Sequence, residues 1–111
     1  MNKVELIGDL VCPVEVRRDR STGRTIGKAI IAVSRGVLGV DIAPVTLRGR
    51  EAVDANKYLG EGSTVFVRGH IHGGFLAERG ATGVRSRRLV YVIADRVTYL
   101  AVRPPATGEQ R

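Results

Sequence analysis

Residues 3–11 alternate, with Val4, Leu6, Gly8 and Leu10 on one side of an extended chain and Glu5, Ile7 and Asp9 on the other. A period of two predicts a half-buried strand, and a glycine inside it predicts a bend or bulge of the kind closed barrels use. Pro13 ends that pattern, and Arg17, Arg18, Arg20, Ser21, Thr22, Gly23 and Arg24 read as a polar, cationic turn. A second strand is predicted from about Ile26 to Arg35, with Ala29, Ile31 and Val33 alternating against Lys28, Ile30, Ala32 and Ser34. Residues 36–44 hold Gly36, Gly39 and Pro44 and predict a loop, followed by a third strand from Val45 to Gly49. The period then changes: Ala52, Ala55 and Leu59 share one face of a helix predicted over Glu51–Leu59, with Glu51 in its first turn and Gly60 just past its end. Val65, Val67 and Gly69 alternate against Phe66, Arg68 and His70 in a fourth strand, Thr64–Ile71. Gly73, Gly74, Gly80 and Gly83 predict a flexible hairpin loop, and a fifth strand runs from about Arg88 to Leu100.

Three strands, a helix and two strands make an all-β domain: a five-stranded OB-fold barrel with one short α-helix between strands 3 and 4. An open α+β sheet covered by one helix is the structural alternative. The domain is expected over residues 1–100, with 101–111 as a short flexible tail. At 111 residues there is room for one core and no second lobe. Cys12 is the sole cysteine, which excludes an internal disulfide and a cysteine zinc cage, and predicts a small buried or half-buried hydrophobe in a reducing compartment. No apolar run approaches the roughly 18–20 residues of a membrane helix. The amino terminus leads straight into strand alternation, so a cytoplasmic protein is expected.

Charge sharpens the picture. Eighteen Lys and Arg against eleven Asp and Glu give +7, and fifteen of the eighteen cations are arginine. That field attracts polyanions, and guanidinium groups suit phosphates and base faces. Aromatics are scarce: Tyr58, Tyr91, Tyr99, Phe66 and Phe75, with no tryptophan.

Five stretches together resemble the bacterial single-stranded DNA-binding protein family. They are Asn2–Leu10; Glu15–Arg17 with Ala32–Ser34; Val45–Ala52 leading to Ala55 and Tyr58-Leu59; Gly62–Gly69; and Ala94–Leu100. The resemblance implies an OB-fold that binds single-stranded DNA in replication, recombination and repair, nucleoid-associated, and a homo-oligomer with a tetramer ahead of a dimer. At positions matching the family's stacking aromatics this chain has Val37, Ile42, Arg48 and, in the hairpin, Phe75 or Leu76. Arg88 stands where a tyrosine is common. The apolar residues within 36–44 are candidates to touch bases, pack on the barrel or form a subunit contact. The family's acidic C-terminal tip has no counterpart before Arg111, so tail-mediated recruitment of repair enzymes is not expected.

Candidate nucleic-acid-binding residues are Arg17 and Arg18 near the first turn, and Arg35, Arg48, Arg50 and Arg68 on or beside the middle strands. Phe75, Arg85, Arg87 and Arg88 of the hairpin complete the set. Arg48 and Arg88 are expected to replace part of the missing aromatic stacking, which predicts steeper salt dependence than in an aromatic-rich relative. Phe66 is expected to serve the structure, and Tyr58 and Tyr99 to pack against the barrel or a neighbour. His70 and His72 share one side of a strand, but no third ligand accompanies them, so no metal and no cofactor is expected. No phosphate-binding glycine loop, nucleophile elbow or paired carboxylates occur, so an enzyme is not expected. The competing functions are a primosome accessory OB-fold protein, a protein-interaction module with weak DNA affinity, and an RNA-binding OB domain.

Overall fold

The computed structural model describes residues 1–80 and 83–106, and the backbone alone at 75–80 and 84–88. Six strands are present: β1 (Val4–Leu10), β2 (Glu15–Arg18), β3 (Thr25–Ser34), β4 (Val40–Arg48), β5 (Thr64–Gly80) and β6 (Gly83–Ala101). One helix, α1 (Arg50–Tyr58), lies between β4 and β5. No described helix is long and apolar enough to cross a membrane.

The strands form one sheet in the order β1-β5-β6-β4-β3-β2, and β1 also pairs with β3, so the bonding of five strands closes into a ring. β2 is added outside that ring on the edge of β3. All neighbours are antiparallel except β4 and β6, which run parallel and meet only at Val45↔Val92 and Thr46↔Ile93. Closure depends on Gly8. A Cβ there would run into the carbonyl oxygen of Ala32 and lie 2.5 Å from Cγ2 of Ile31, beside the β1–β3 rungs Asp9↔Ala32 and Leu10↔Ile31. Only glycine lets the two backbones approach this closely.

Alternation places the core where the sequence predicts it. Leu10, Ala29, Ile31, Val45, Leu47, Val65 and Val67 point inward and are almost fully buried. α1 closes one end with Ala52 and Ala55, followed by Leu59 just past its last turn, each no more than 1% exposed. Full burial of such aliphatic side chains stabilises by roughly 1.5–3 kcal/mol each before entropy is counted. Val14, 1% exposed, is tied to the helix through its carbonyl, which accepts from Nδ2 of Asn56 at 2.7 Å. Cys12 is half-buried.

Four features depart from expectation. Arg17 and Arg18, expected in the cationic turn, belong with Glu15 and Val16 to the strand β2; all four residues are exposed, so no apolar alternation marks it. The loop expected over 36–44 is a single 3-10 turn at Gly36–Leu38, with β4 already begun at Val40. Pro44 fits there because the rungs bracketing the β3–β4 ladder, Gly49 N–H to Thr25 O and Arg35 N–H to Gly39 O, make Ile30↔Pro44 a non-hydrogen-bonded pair. Its missing N–H faces away from β3. The glycine-rich hairpin is an antiparallel ribbon paired through to Gly80↔Gly83; Gly73 and Gly74 lie opposite Val90 and Leu89, whose strand propensity offsets theirs.

The stretch from 101 onward also begins with firm contacts rather than freely. The Arg103 carbonyl accepts from Gly60 N–H at 2.6 Å and from the Ser63 hydroxyl at 3.0 Å, and Ser63 is fully buried. Gly60 serves this contact, since a Cβ there would lie 2.6 Å from the Pro104 oxygen. Residues 107–111 lie outside the described residues.

Candidate nucleic-acid interface

Because β4 and β6 share only two rungs, the strands diverge before Val45 and Val92 and leave an opening on the outer face. A groove of about 660 Å3 fills it, lined by Glu15–Arg17 of β2, Ile26–Lys28 of β3, Pro44–Thr46 of β4 and Leu89–Tyr91 of β6. A second groove of about 580 Å3 continues past it, lined by Asp19, Thr22 and Arg24 of the β2–β3 turn together with Thr25, Ile26, Thr46, Arg48, Gly49, Tyr91 and Ile93. The two share Ile26, Thr46 and Tyr91. They form one trough with an apolar floor and four cations on its walls: Arg17, Arg24, Lys28 and Arg48.

The turn that edges the trough is built around Asp19. Its carboxylate accepts from the Thr22 hydroxyl at 2.9 Å and from Ser21 N–H and Oγ at 3.3 and 3.1 Å. The Thr22 bond first, then the Ser21 amide, hold its pKa below the ordinary carboxylate value. Its main chain adds Asp19 N–H to Arg24 O at 2.8 Å and Gly23 N–H to Asp19 O at 2.7 Å. A turn bonded so many times within itself holds Arg24 at a set position on the wall.

Of the residues singled out by sequence, Arg17 and Arg48 reach this trough. Arg18 is exposed on β2 opposite Thr25, and Arg50 is exposed at the start of α1; neither lines it. Arg35 is engaged within its own hairpin, with Nη1 3.4 Å from Asp41 Oδ1 and Nη2 donating to Leu38 O at 3.2 Å. Arg68 lies elsewhere on the ring, paired with Glu5 at 3.2 Å. The side chains of Phe75, Arg85, Arg87 and Arg88 lie outside the described residues; their backbones pair as Phe75↔Arg88, Leu76↔Arg87 and Glu78↔Arg85.

No family model matches the chain, and no curated protein matches it.

Sequence reasoning left Tyr91 unassigned, although it belongs to both grooves. Its ring lies 5.4 Å from that of His72, its cross-strand partner, at an interplanar angle of 56°. Outward alternation of Tyr91 and Ile93 along β6 is the signal that could have found it. Phe66, expected to serve the structure, is half-buried on the face away from Val65 and Val67, in a shallow concavity of about 190 Å3 with Arg68, Arg96 and Thr98. Tyr99 packs against the core, and burial first, then Asp54 and Glu51, push its pKa up. Tyr58 is half exposed under Lys57 Nζ, 5.2 Å from the ring centre.

Three of the four apolar residues of the 36–42 hairpin, Val40, Ile42 and Leu38, are 57%, 56% and 75% exposed, and Val37 is fully so; none packs on the ring. His70 Nδ1 lies 3.0 Å from Asp95 Oδ2, while His72 faces Tyr91. Among the described residues no three or more His, Cys, Asp or Glu gather as a metal site would require. Chemically the trough offers planar cations, one aromatic ring and an aliphatic floor, which suits a phosphodiester chain with unpaired bases.

Proposed function

We propose that the chain binds single-stranded DNA with little sequence preference, as an OB-fold protein working without a cofactor. Strand order supports the fold. Around the ring, β1, β3 and β4 follow as an antiparallel meander, α1 separates β4 from β5, and a parallel β4–β6 seam closes it. An OB barrel has that connectivity, with β1, β3, β4, β5 and β6 as its five strands.

The trough carries the functional reading. OB folds take oligonucleotides on the face of their second and third strands and on the loops joining strands one to two and four to five. Here those are β3 and β4, the β2–turn segment, and the ribbon that enters β6. The trough's lining comes from these four places. Arginine and lysine on the walls would track phosphates while Tyr91 accepts a base, and nothing on the floor demands a particular base edge.

The chain would act as a homo-oligomer, with a tetramer ahead of a dimer, in replication, recombination or repair. The test is a titration with oligo-dT, oligo-U and duplex DNA across salt concentrations, with light scattering on the same samples. Preference for oligo-dT with a salt-dependent affinity is expected. Equal binding of oligo-U would move the reading to RNA, and a dimer would move it toward a primosome accessory protein. One observation favours a different class: the exposed apolar hairpin end, Val37, Leu38, Val40 and Ile42, is a surface another protein could cover. Failure to bind oligo-dT at low salt, with a defined protein partner instead, would select that interaction role.

A further inference from the structure

Asp95, like Leu100 further along, is a residue of β6 with no partner on β5. The register runs Arg68↔Arg96 and then Gly69↔Ala94, so Asp95 is the extra residue of a β-bulge. Bulges re-aim side chains. Gly69 makes room for this one: a Cβ there would collide with the carbonyl oxygen of Ile93. The re-aimed carboxylate spans three strands. Oδ1 lies 3.2 Å from Nη2 of Arg48 on β4, and Oδ2 lies 3.0 Å from Nδ1 of His70 on β5. Arg48 and Ile93 on either side of it line the trough.

We propose that Asp95 is a positioning residue of the trough. It occupies the guanidinium edge of Arg48 that a phosphate would otherwise take, and so keeps Arg48 turned to the bases. The inference rests on the proposed single-strand binding. In the wild-type chain Arg48 then contributes affinity without neutralising a phosphate. Since a single strand releases about 0.7 counterion per phosphate neutralised, Arg48 is absent from the salt slope until Asp95 loses its charge.

Both side chains are solvent-exposed, Arg48 53% and Asp95 48%, so either can be substituted without opening the core.

The experiment measures oligo-dT affinity against salt for wild type, Asp95→Asn, Arg48→Gln, the double variant, and Glu15→Gln. Glu15 also lines the trough but holds no cation among the described residues, so it reports the loss of a charge alone. Asp95→Asn is expected to steepen the slope of log affinity against log salt by about 0.7, and Arg48→Gln in that background to abolish the gain. Arg48→Gln alone should weaken binding at every salt with an unchanged slope. Melting temperatures confirm that each variant is folded. An unchanged slope in Asp95→Asn, the same steepening in Glu15→Gln, or a shallower slope in Arg48→Gln alone would each overturn the inference. Wild type that fails to bind oligo-dT overturns the functional reading itself and this inference with it. Wild-type binding with an unchanged Asp95→Asn slope overturns only the role of Asp95.

Discussion

Tyr91→Ala is the most direct test of the trough. The side chain is half-buried, lines both grooves, and touches one other ring, that of His72. Truncation therefore costs the fold little, about 0.5–1.5 kcal/mol for the ring pair plus some half-buried area. Against that, one stacked base contributes roughly 1–3 kcal/mol, so the Kd for oligo-dT should rise about 5- to 150-fold. Stacking releases no counterions, so the loss should be the same at every salt concentration. Fluorescence anisotropy with a labelled oligo-dT, repeated across a salt series, reads both quantities. Tyr91→Phe keeps the ring and should bind like wild type. If Tyr91→Ala binds as tightly as wild type, or loses affinity only through a changed slope, no base stacks on Tyr91 and the trough reading fails at its centre.

Arg17→Gln should make the salt slope shallower by about 0.7 while leaving the melting temperature unchanged, since Arg17 makes no ion pair among the described residues. Glu51 has its pKa pushed above the ordinary 4.5, by burial first and against an N–H from Val97, and its Oε1 is buried without a partner. The folded chain thus holds that proton more tightly than the unfolded chain, so Glu51 lowers stability as pH rises from the ordinary value through the folded one. Glu51→Gln should melt higher than wild type at neutral pH, with the difference gone by about pH 4 in parallel thermal scans. Gly60→Ala puts a Cβ 2.6 Å from the Pro104 oxygen and should cost about 1–3 kcal/mol in denaturant unfolding, with faster amide exchange at Gly60 and Arg103.

What could be read from the chain in advance was whatever repeats at short range. The inward residues of β1, β3 and β5, and Ala52, Ala55 and Leu59, are buried or half-buried as their periods require, because burial on one face imposes period two or 3.6. β2 could not be read that way: Glu-Val-Arg-Arg has no buried side, and only its pairing with β3 makes it a strand. Pro44, Gly73 and Gly74 read as breaks, yet each sits where its partner strand tolerates it. The role of Arg48 was legible only in part. Alternation turned it outward, but its pairing with Asp95 follows from a bulge, and a bulge is a property of two strands together. Arg35 and Arg68 looked equivalent to Arg17 in sequence; Asp41 and Glu5, brought close by a hairpin and by a neighbouring strand, set them apart.

That sorting of arginines turns net charge into a number that can be measured. Of the eighteen Lys and Arg, those that act on a strand in the trough are the ones lining it that no carboxylate already holds. Among the described residues these are Arg17, Arg24 and Lys28, because Arg48 is held by Asp95. Three phosphates neutralised by a single strand give a slope of log affinity against log salt of about −2. Arg85, Arg87 and Arg88 stand on the ribbon that enters the trough at Leu89, and engaging all three would bring the slope to about −4. The wild-type slope therefore tells whether the strand stays within the trough or climbs the ribbon. Substituting the three ribbon arginines by glutamine should change a slope near −4 and leave one near −2 as it was. A slope near zero would leave neither path with phosphates to hold, and the cations of the trough would then be solvated charges and nothing more.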